Sequence, residues 1–443
     1  MRWHTVAEDR SVGMFRHKTN ASTRNHIPTP HVAWRQYALR SGVILLCSIL
    51  SPFICQAQID PYKRQLLQFG YNQPTKGHWP LAGYLFYLLN QPDFVRPDLT
   101  LRLALAPTYL DSEFGFVRAL GPDTDLALGL SGGGFADSYN EIRRGHYIID
   151  ESFPGHGGRT SVSLYHRFNP NQRLPLNAVV RGMLDYSSYD RDDSTADTFV
   201  LPGDRLTYSM RTGLRLGGRE PTLIPALGME FSTWYEGGIR SKHGPYGFDG
   251  DRRVEANSHR FWGRALFAYT VPWLEHNFNL SITAGTTRRA DRFSAYKLGG
   301  TLPLLSEFRL DLPGYEAQEI TAREFVLFNW LYWLPIDSAK RWSFTAFGGV
   351  AGVDYLAGLE QADRWLSGVG AGVGYKAAQD VWQVVLAYAY GFNALRSDGR
   401  GGQSIVLLFQ FDLEARRRAA AYPSLAPVLD PERSRGLERI LRY

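Results

Sequence analysis

Apolar and polar residues alternate with a period of two through most of the chain beyond about residue 110. At 206–217, 381–392 and 404–413, bulky residues hold every second position and smaller or more polar residues stand between them. At 367–375, glycine holds every second position. A period of two is that of β-strands whose two faces meet different surroundings. Further alternating runs lie near 159–168, 175–187, 226–236, 260–271, 277–287, 322–336 and 341–351.

The runs are about ten residues long, and turn-rich segments separate them. The connections differ in length, with long polar ones at 188–204 and 237–257. Strands of this length, with an aromatic-tipped apolar face and a small or polar opposite face, are typical of membrane barrels. The pattern therefore predicts an all-β fold, a transmembrane antiparallel β-barrel of about 14–16 strands. The same alternation leaves open a soluble exported β-sandwich with a binding role.

Composition divides the chain into four parts. Residues 1–57 contain a basic stretch, an apolar run and a small residue at Ala57, which predicts a leader with a signal peptide. Residues 58–95 are apolar only in patches, and a short periplasmic segment, a plug or early strands all remain open. The outer-membrane β-barrel is expected at 96–413, and a polar, partly helical tail at 414–443.

The charge distribution argues against a nucleic-acid partner. The net charge of +6 is concentrated in the leader, which holds seven basic and two acidic residues. The rest of the chain holds 42 basic and 41 acidic residues, so it offers no basic surface in excess. Both cysteines, Cys47 and Cys55, lie in the leader. Once the leader is removed, no disulfide, thiolate metal site or cysteine nucleophile is expected.

The C-terminal half resembles the barrel of the BamA/TamA-type bacterial surface-antigen superfamily. The segments that carry the resemblance occur in the order Phe293–Gly300, Leu312–Tyr315, Phe328–Ile336, Gly368–Tyr375, Val385–Gly391 and Phe409–Leu413. In that superfamily a loop folds inward between the eleventh and twelfth of sixteen strands, and five strands follow it. Five alternating runs follow Tyr315 here, starting near 322, 341, 366, 381 and 404.

The resemblance implies an inward loop and a bacterial outer-membrane location. The loop residues by this argument are Gly299, Gly300, Leu312, Pro313, Gly314 and Tyr315. The family places an arginine before the glycine-aromatic pair to reach acidic residues on the barrel wall, whereas this chain has Pro313 there. Residues 58–95 are too short for one of the family's periplasmic repeats of about 80 residues, so a barrel-only member is expected.

The function implied by the resemblance is outer-membrane assembly, export or passive transport without catalysis. The expected partners are outer-membrane lipid, the assembly machinery that inserts the barrel, and an unidentified periplasmic protein. Neither a cofactor nor a metal is expected, because the histidines lack metal-ligand spacing.

Two further groups of residues are candidates for chemistry. Ser131 lies in a G-x-S-x-G sequence, which in a hydrolase needs a strand, a tight turn and a helix, and an outer-membrane serine hydrolase is the catalytic alternative. Four charged residues on alternating strands are candidates for the lumen, either to tune permeation or to pair across the wall. They are Arg211, Arg215, Glu230 and Glu236.

Overall fold

The computed structural model describes residues 62–421, apart from 171–173, 220–221, 226, 303–306 and 398. The predicted leader at 1–57 and the part of the tail beyond residue 421 lie outside the described residues. No helix among the described residues is long and apolar enough to cross a membrane.

The described residues form 21 strands and one α-helix. In chain order they are β1 (Arg64–Pro74), β2 (Gly83–Gln91), β3 (Leu99–Leu105), β4 (Tyr109–Phe116), β5 (Thr124–Gly133), β6 (Tyr139–Arg143), β7 (His146–Phe153), β8 (Gly155–Arg167), β9 (Leu176–Tyr189), β10 (Arg205–Arg219), β11 (Leu227–Arg240), β12 (Gly244–Tyr246), β13 (Arg252–Val254), β14 (Asn257–Thr270), β15 (Asn277–Arg288), β16 (Tyr296–Leu298), β17 (Ile320–Pro335), β18 (Trp342–Tyr355), β19 (Trp365–Lys376), β20 (Trp382–Arg396), β21 (Gly399–Asp412) and α1 (Leu413–Ala421).

Sixteen of these strands form one closed antiparallel barrel, in which each strand pairs with its neighbours in the chain. The hairpins β6–β7 and β12–β13 form separate two-stranded sheets in the loops, and β16 adds three residues to the edge of β17. Strands β1 and β21 complete the ring, with pairs from Leu66 opposite Asp412 to Pro74 opposite Ser404. Closure removes the free sheet edges that hydrocarbon cannot solvate.

The two faces of the wall differ as the alternation predicts. Bulky residues of the predicted strands point outward and are exposed, for example Tyr208 at 57% and Met210 at 50%. Their neighbours Arg211 and Arg215 point inward and are part-buried. The glycine face at 367–375 also lines the lumen, because a Cβ on Gly368 would meet Pro313 and one on Gly374 would meet the buried Trp333. An apolar exterior around a polar interior is the arrangement of a membrane barrel.

The two ends of the barrel are built differently. Both described chain ends lie at one end, called here the termini end, together with seven connections of five to eight residues. The opposite end, called the long-loop end, carries the connections 134–154, 190–204, 241–256 and 289–319. The predicted long polar connections at 188–204 and 237–257 both belong to this end.

The sequence-based strand positions and fold class are confirmed, and the closed barrel excludes the β-sandwich alternative. The expected barrel start at residue 96 is wrong, because 58–95 contains β1 and β2. The early-strand alternative for that segment is the correct one. The described start of the tail is helical in α1, where the Ala415 N–H donates to Asp412 Oδ1 at 2.8 Å.

The β1–β21 register predicts a specific cross-link. Gln68 and Gln410 are direct partners whose side chains hydrogen-bond at 2.9 Å. With Cys47 and Cys55 replaced by serine, Gln68→Cys/Gln410→Cys is expected to form a disulfide, because directly opposed Cβ atoms lie about 5 Å apart. Reducing and non-reducing gel mobility measures it. The control Gln68→Cys/Leu408→Cys is out of register and is expected to remain reduced; equal oxidation of both would contradict this seam.

Candidate functional site

The connection between the eleventh and twelfth barrel strands, residues 289–319, enters the lumen and is called here the lumen strap. Gly299 and Gly300 pair with Leu310 and Leu312 at the base of a hairpin within the strap. The Gly299 N–H donates to the Leu310 carbonyl at 3.0 Å, and the Leu312 N–H donates to the Gly300 carbonyl at 2.9 Å. Both glycines have positive φ, a backbone conformation that favours glycine. The returning arm of this hairpin continues from Leu312 to Tyr315, which lies against the wall.

The tip of the strap packs against a glycine-lined part of the wall. A Cβ on Gly368 would overlap the Pro313 carbonyl oxygen, and a Cβ on Gly314 would overlap the backbone of Gly391. Gly314 also has φ +81°, a backbone conformation that favours glycine. Tyr315 is 1% exposed and lies against Gly391. Only a wall without side chains lets the strap backbone approach this closely.

A buried ion pair fixes the same end of the strap. Arg396 on β20 binds the strap residue Glu319 through both guanidinium nitrogens, at 2.9 and 3.1 Å. The same arginine donates to the Gly314 carbonyl at 3.3 Å, and its guanidinium lies 4.6 Å from the Trp79 ring centroid. The side chains are 3% and 0% exposed. A bidentate pair of this kind holds the strap end in one geometry.

A second anchor lies on β10, β11 and β14, well around the barrel from β20. The strap residue Glu307 binds Arg215 at 2.9 Å, and its carbonyl accepts from Arg264 Nη1 at 2.7 Å. Phe308 packs edge-on against Trp234 and Trp262, with ring centroids 5.2 and 5.5 Å apart. The strap is therefore attached to two separated parts of the wall and crosses the lumen between them.

The four predicted lumen charges lie together on this second wall. Arg211 pairs with Glu236 at 2.6 Å, and Arg215 pairs with Glu230 at 3.1 Å. Arg264 also binds Glu230, at 2.6 Å. The charges thus pair across neighbouring strands, and Arg215 in addition holds the strap. The two acids of this wall are therefore both neutralised by arginines of neighbouring strands.

Pro313 stands where the resemblance implied an arginine that reaches acids on the wall, and it carries no charge. The buried pair of this end has its arginine on the wall, as Arg396, and its carboxylate on the strap, as Glu319. The nearby Arg309 pairs with Asp311 within the strap, at 3.3 Å. The strap is therefore held by an arginine of the wall and not by one of its own.

The turn after β10 closes the barrel from the termini end. The Leu223 N–H donates to Gln410 Oε1 on β21 at 3.3 Å, which requires the turn to reach across the barrel mouth. Leu223 and Ile224 pack on lumen-facing residues that include Val406 and Leu408. Between this turn and the strap lies a cavity of about 1270 Å³. The lumen is thus blocked on both sides of one internal chamber.

Buried ion pairs also join the loops at the long-loop end. Glu141 in β6 binds Arg292 at 3.1 Å, and Arg252 in β13 binds both Glu141 and Glu151. Burial acts to raise the pKa of Glu141, but Arg292 and Arg252 outweigh it and hold that pKa below its ordinary value. The two loop hairpins and the start of the strap are consequently one connected lid.

Glu316, a carboxyl of the strap, has a raised pKa, in contrast to Glu141. It is 0% exposed and adjacent to the Glu319–Arg396 pair, and it forms no ion pair among the described residues. Burial, reinforced by the charge of Glu319, raises the pKa of Glu316 to about 8, and the Ala317 backbone N–H and the charge of Arg396 offset this only in part. The docked strap therefore holds a proton on Glu316 near neutral pH.

The structure does not arrange Ser131 or the histidines as a catalytic or metal site requires. Ser131 lies inside β5, opposite Arg159, and not at a strand-to-helix turn. His156 bonds to Asp190 at 2.9 Å, and His166 bonds to Thr124 at 2.9 Å. No cluster of three or more potential metal ligands occurs in the part of the chain that the structure describes.

Sequence reasoning missed the residues that attach the strap, namely Trp79, Glu307, Phe308, Glu319 and Arg396. Arg396 follows a register shift between Gly391 and Leu395, so alternation counted along β20 does not predict where it points. Glu307 and Phe308 lie in an aperiodic connection that carries no face signal. The sequence shows that Glu319 is charged, but it does not show that Arg396 is its partner.

Comparison with known proteins supports the fold. No family model and no curated protein matches the sequence. The solved structure of CdiB from Acinetobacter baumannii matches with TM-score 0.51 and 10% identity, over 79% of this chain and 60% of that one. CdiB from Escherichia coli matches with TM-score 0.51 and 12% identity, over 80% and 64%. BamA from Haemophilus ducreyi lacking POTRA domains 1-3 gives TM-score 0.47 and 11% identity, over 79% and 71%.

The chain spans less than two thirds of the length of the two CdiB chains. At 10–12% identity these likenesses concern the fold alone. They support the closed β-barrel fold of this chain.

The Arg396–Glu319 pair predicts a large effect of a single substitution. Arg396→Ala leaves Glu319 buried without its partner and is expected to destabilise the docked strap by about 3–5 kcal/mol. Trypsin cleavage after Arg309 in folded protein measures undocking. Arg323→Ala is the matched control, because its pair with Asp354 is exposed, at 55% and 36%, and solvent screening leaves it with little effect on stability. Equal protease resistance of Arg396→Ala and wild type would contradict the assignment.

The raised pKa of Glu316 predicts a pH dependence with a defined sign. The unfolded carboxyl releases its proton near 4.5, whereas the folded one retains it to about 8. The free energy of unfolding is therefore expected to fall as pH rises from about 5 to about 8 and to become independent of this group at higher pH. The melting temperature of wild type against Glu316→Gln measures it, and the variant is expected to lose this slope. Glu360→Gln, in an exposed loop, is the control and should keep the wild-type slope.

Proposed function

We propose that the protein is a gated transport barrel of the bacterial outer membrane, closed at rest, through which a substrate passes when the lumen strap undocks. The observation that carries the proposal is the attachment of the strap to two separated parts of the wall, through Arg396–Glu319 and Arg215–Glu307. Each attachment combines an ion pair with packed side chains, Tyr315 at the first and Phe308 at the second. Release of the strap would open the lumen between these two parts of the wall.

The orientation follows from the two ends of the barrel. In bacterial outer-membrane barrels the short turns face the periplasm and the long loops face outward. The termini end would then be periplasmic, and the lid built on Glu141 and Arg252 would face the exterior. The strap would enter the lumen from outside, and the Leu223 turn would close the periplasmic mouth.

A place in the BamA/TamA-type superfamily is part of the proposal. The position of the strap between the eleventh and twelfth strands and the five strands after it support this relationship. An arginine on the wall in place of one on the strap sets this barrel apart from the pattern that the resemblance implies. We expect transport or export to be its role and catalysis to play no part.

The partners follow from this role. Outer-membrane lipid contacts the exposed apolar wall, and the outer-membrane assembly machinery inserts the barrel. A periplasmic partner of unknown identity would deliver or receive the substrate at the termini end. Nucleic acid is not expected, since the charges outside 1–57 nearly balance.

The proposal predicts the electrical behaviour of the barrel. In planar bilayers the wild type is expected to be closed for most of the time, because the strap and the Leu223 turn obstruct the lumen. In a Leu223→Gly/Ile224→Gly background, which removes the side chains that block the termini end, replacing residues 301–317 by a short Gly-Ser linker is expected to raise single-channel conductance about tenfold, towards that of open 16-stranded porins. Arg323→Ala in the same background is the control, because its exposed pair with Asp354 does not touch the strap. A strap-deleted barrel that keeps the conductance of this background would refute gating by the strap.

A further inference from the structure

One sector of the barrel wall is much lower than the rest. Strands β3 and β4 have 7 and 8 residues, whereas the barrel strands from β8 to β21 have 12–16. At about 3.3 Å per residue and a tilt of about 40°, eight residues rise about 20 Å and fourteen rise about 35 Å. The apolar band of such barrels is about 25 Å tall. The β3–β4 hairpin is therefore too short to separate lumen from hydrocarbon over the full band.

The gap lies above the β3–β4 hairpin at the long-loop end. β2 pairs with β3 only from Tyr87 to Gln91, although its pairing with β1 continues to Gly83. The four residues Gly83–Phe86 thus extend beyond their neighbour on one side. At the termini end the same strands are flush, since Leu99 pairs with Phe116 and Arg64 pairs with Asn90.

The internal cavity continues through this gap. Its lining includes Tyr84 and Phe86 on the lumen face of β2, Pro107 at the tip of the β3–β4 hairpin, and Leu85 on the outer face of β2. A cavity lined by both faces of one strand passes around the edge of that strand. The chamber under the strap therefore connects sideways with the surroundings of the barrel.

The rim of the gap is apolar. Leu81 is 82% exposed and Phe135 is 63% exposed, and both line the cavity opening together with Pro107 and Tyr109. Exposed apolar side chains that are contiguous mark a surface for membrane or ligand contact. Contact with the hydrocarbon chains of the membrane would remove these side chains from water. The apolar rim therefore indicates that the gap opens into lipid.

The floor of the cavity is polar and rich in arginine. Six arginines and four acidic residues line it. Nearest the gap, Arg102 lies 3.4 Å from Asp111, and Arg181 lies 3.2 Å from Glu113. The Arg102 side chain is 41% exposed in spite of its pairs with Asp111 and, at 4.0 Å, with Glu113, and it lines the cavity. Guanidinium groups bind phosphate and carboxylate through two parallel hydrogen bonds.

We propose that the gap over the β3–β4 hairpin is a lateral portal, through which the cavity binds an anionic membrane amphiphile. The acyl chain lies over Ala104 and Pro107, and the headgroup reaches Arg102. This site goes beyond the gating role of the strap. It depends on the low wall and not on release of Arg396, so either proposal can fail without the other.

Photocross-linking in vesicles of defined lipid tests the portal. Ala104→benzoylphenylalanine faces the lumen, and Leu103→benzoylphenylalanine, one residue away, faces the membrane. In vesicles of phosphatidylglycerol or phosphatidylcholine, the probe at 103 is expected to label both lipids equally. The probe at 104 is expected to label phosphatidylglycerol about fivefold more than phosphatidylcholine, because the arginine floor favours a phosphate headgroup with net negative charge.

A second variant separates specific binding from leakage of lipid through the gap. Arg102→Gln in the Ala104-probe background is expected to abolish the headgroup preference, whereas Arg159→Gln is expected to leave it unchanged. Arg159 is the matched control because it also faces the lumen and pairs with an acid, Asp185, but does not line the cavity. Retained heat-modifiable gel mobility confirms that each variant is folded. No lipid adduct at 104, or an adduct without headgroup preference in the parent, would overturn the proposal.

Discussion

Closure of the sheet is the constraint on which the rest of this structure depends. Hydrocarbon cannot hydrogen-bond a free strand edge, so the β1–β21 seam is required for all the other strands to lie in a membrane. Closure also separates the two faces of every strand. Bulky residues such as Tyr208 and Leu386 then cover the outside, and polar or glycine residues line a wide interior. That interior must be filled or left to water.

The lumen strap fills it, and each property of the wall matches a property of the strap. Glycines at 368 and 391 allow backbone contact, and Arg396 and Arg215 neutralise the strap carboxylates Glu319 and Glu307. Buried pairs of this kind contribute little net stability but define one geometry, because a misplaced strap leaves charges unpaired. The raised pKa of Glu316 adds a proton to the same docked state. Specific attachment combined with modest net stability is what a displaceable gate needs.

Sequence reasoning found the barrel because eleven strands have one apolar face and one small or polar face. It could not identify β2 as a barrel strand. Tyr84, Phe86 and Leu88 make the lumen face of β2 apolar as well, so the alternation is lost there. The inward loop came from a resemblance, not from periodicity. Its partners could not be predicted, because Arg396 follows a register shift and Glu319 has no sequence signal that identifies a residue on another strand.

The central claim is that a strap crosses the lumen and closes it. An experimental density map of the barrel in a lipid nanodisc tests this claim most directly. The account predicts continuous density from Phe308 at Trp234 and Trp262 to Gly314 at Gly391, with Glu319 against Arg396. A map with an empty lumen and residues 307–319 packed among the long loops would contradict it.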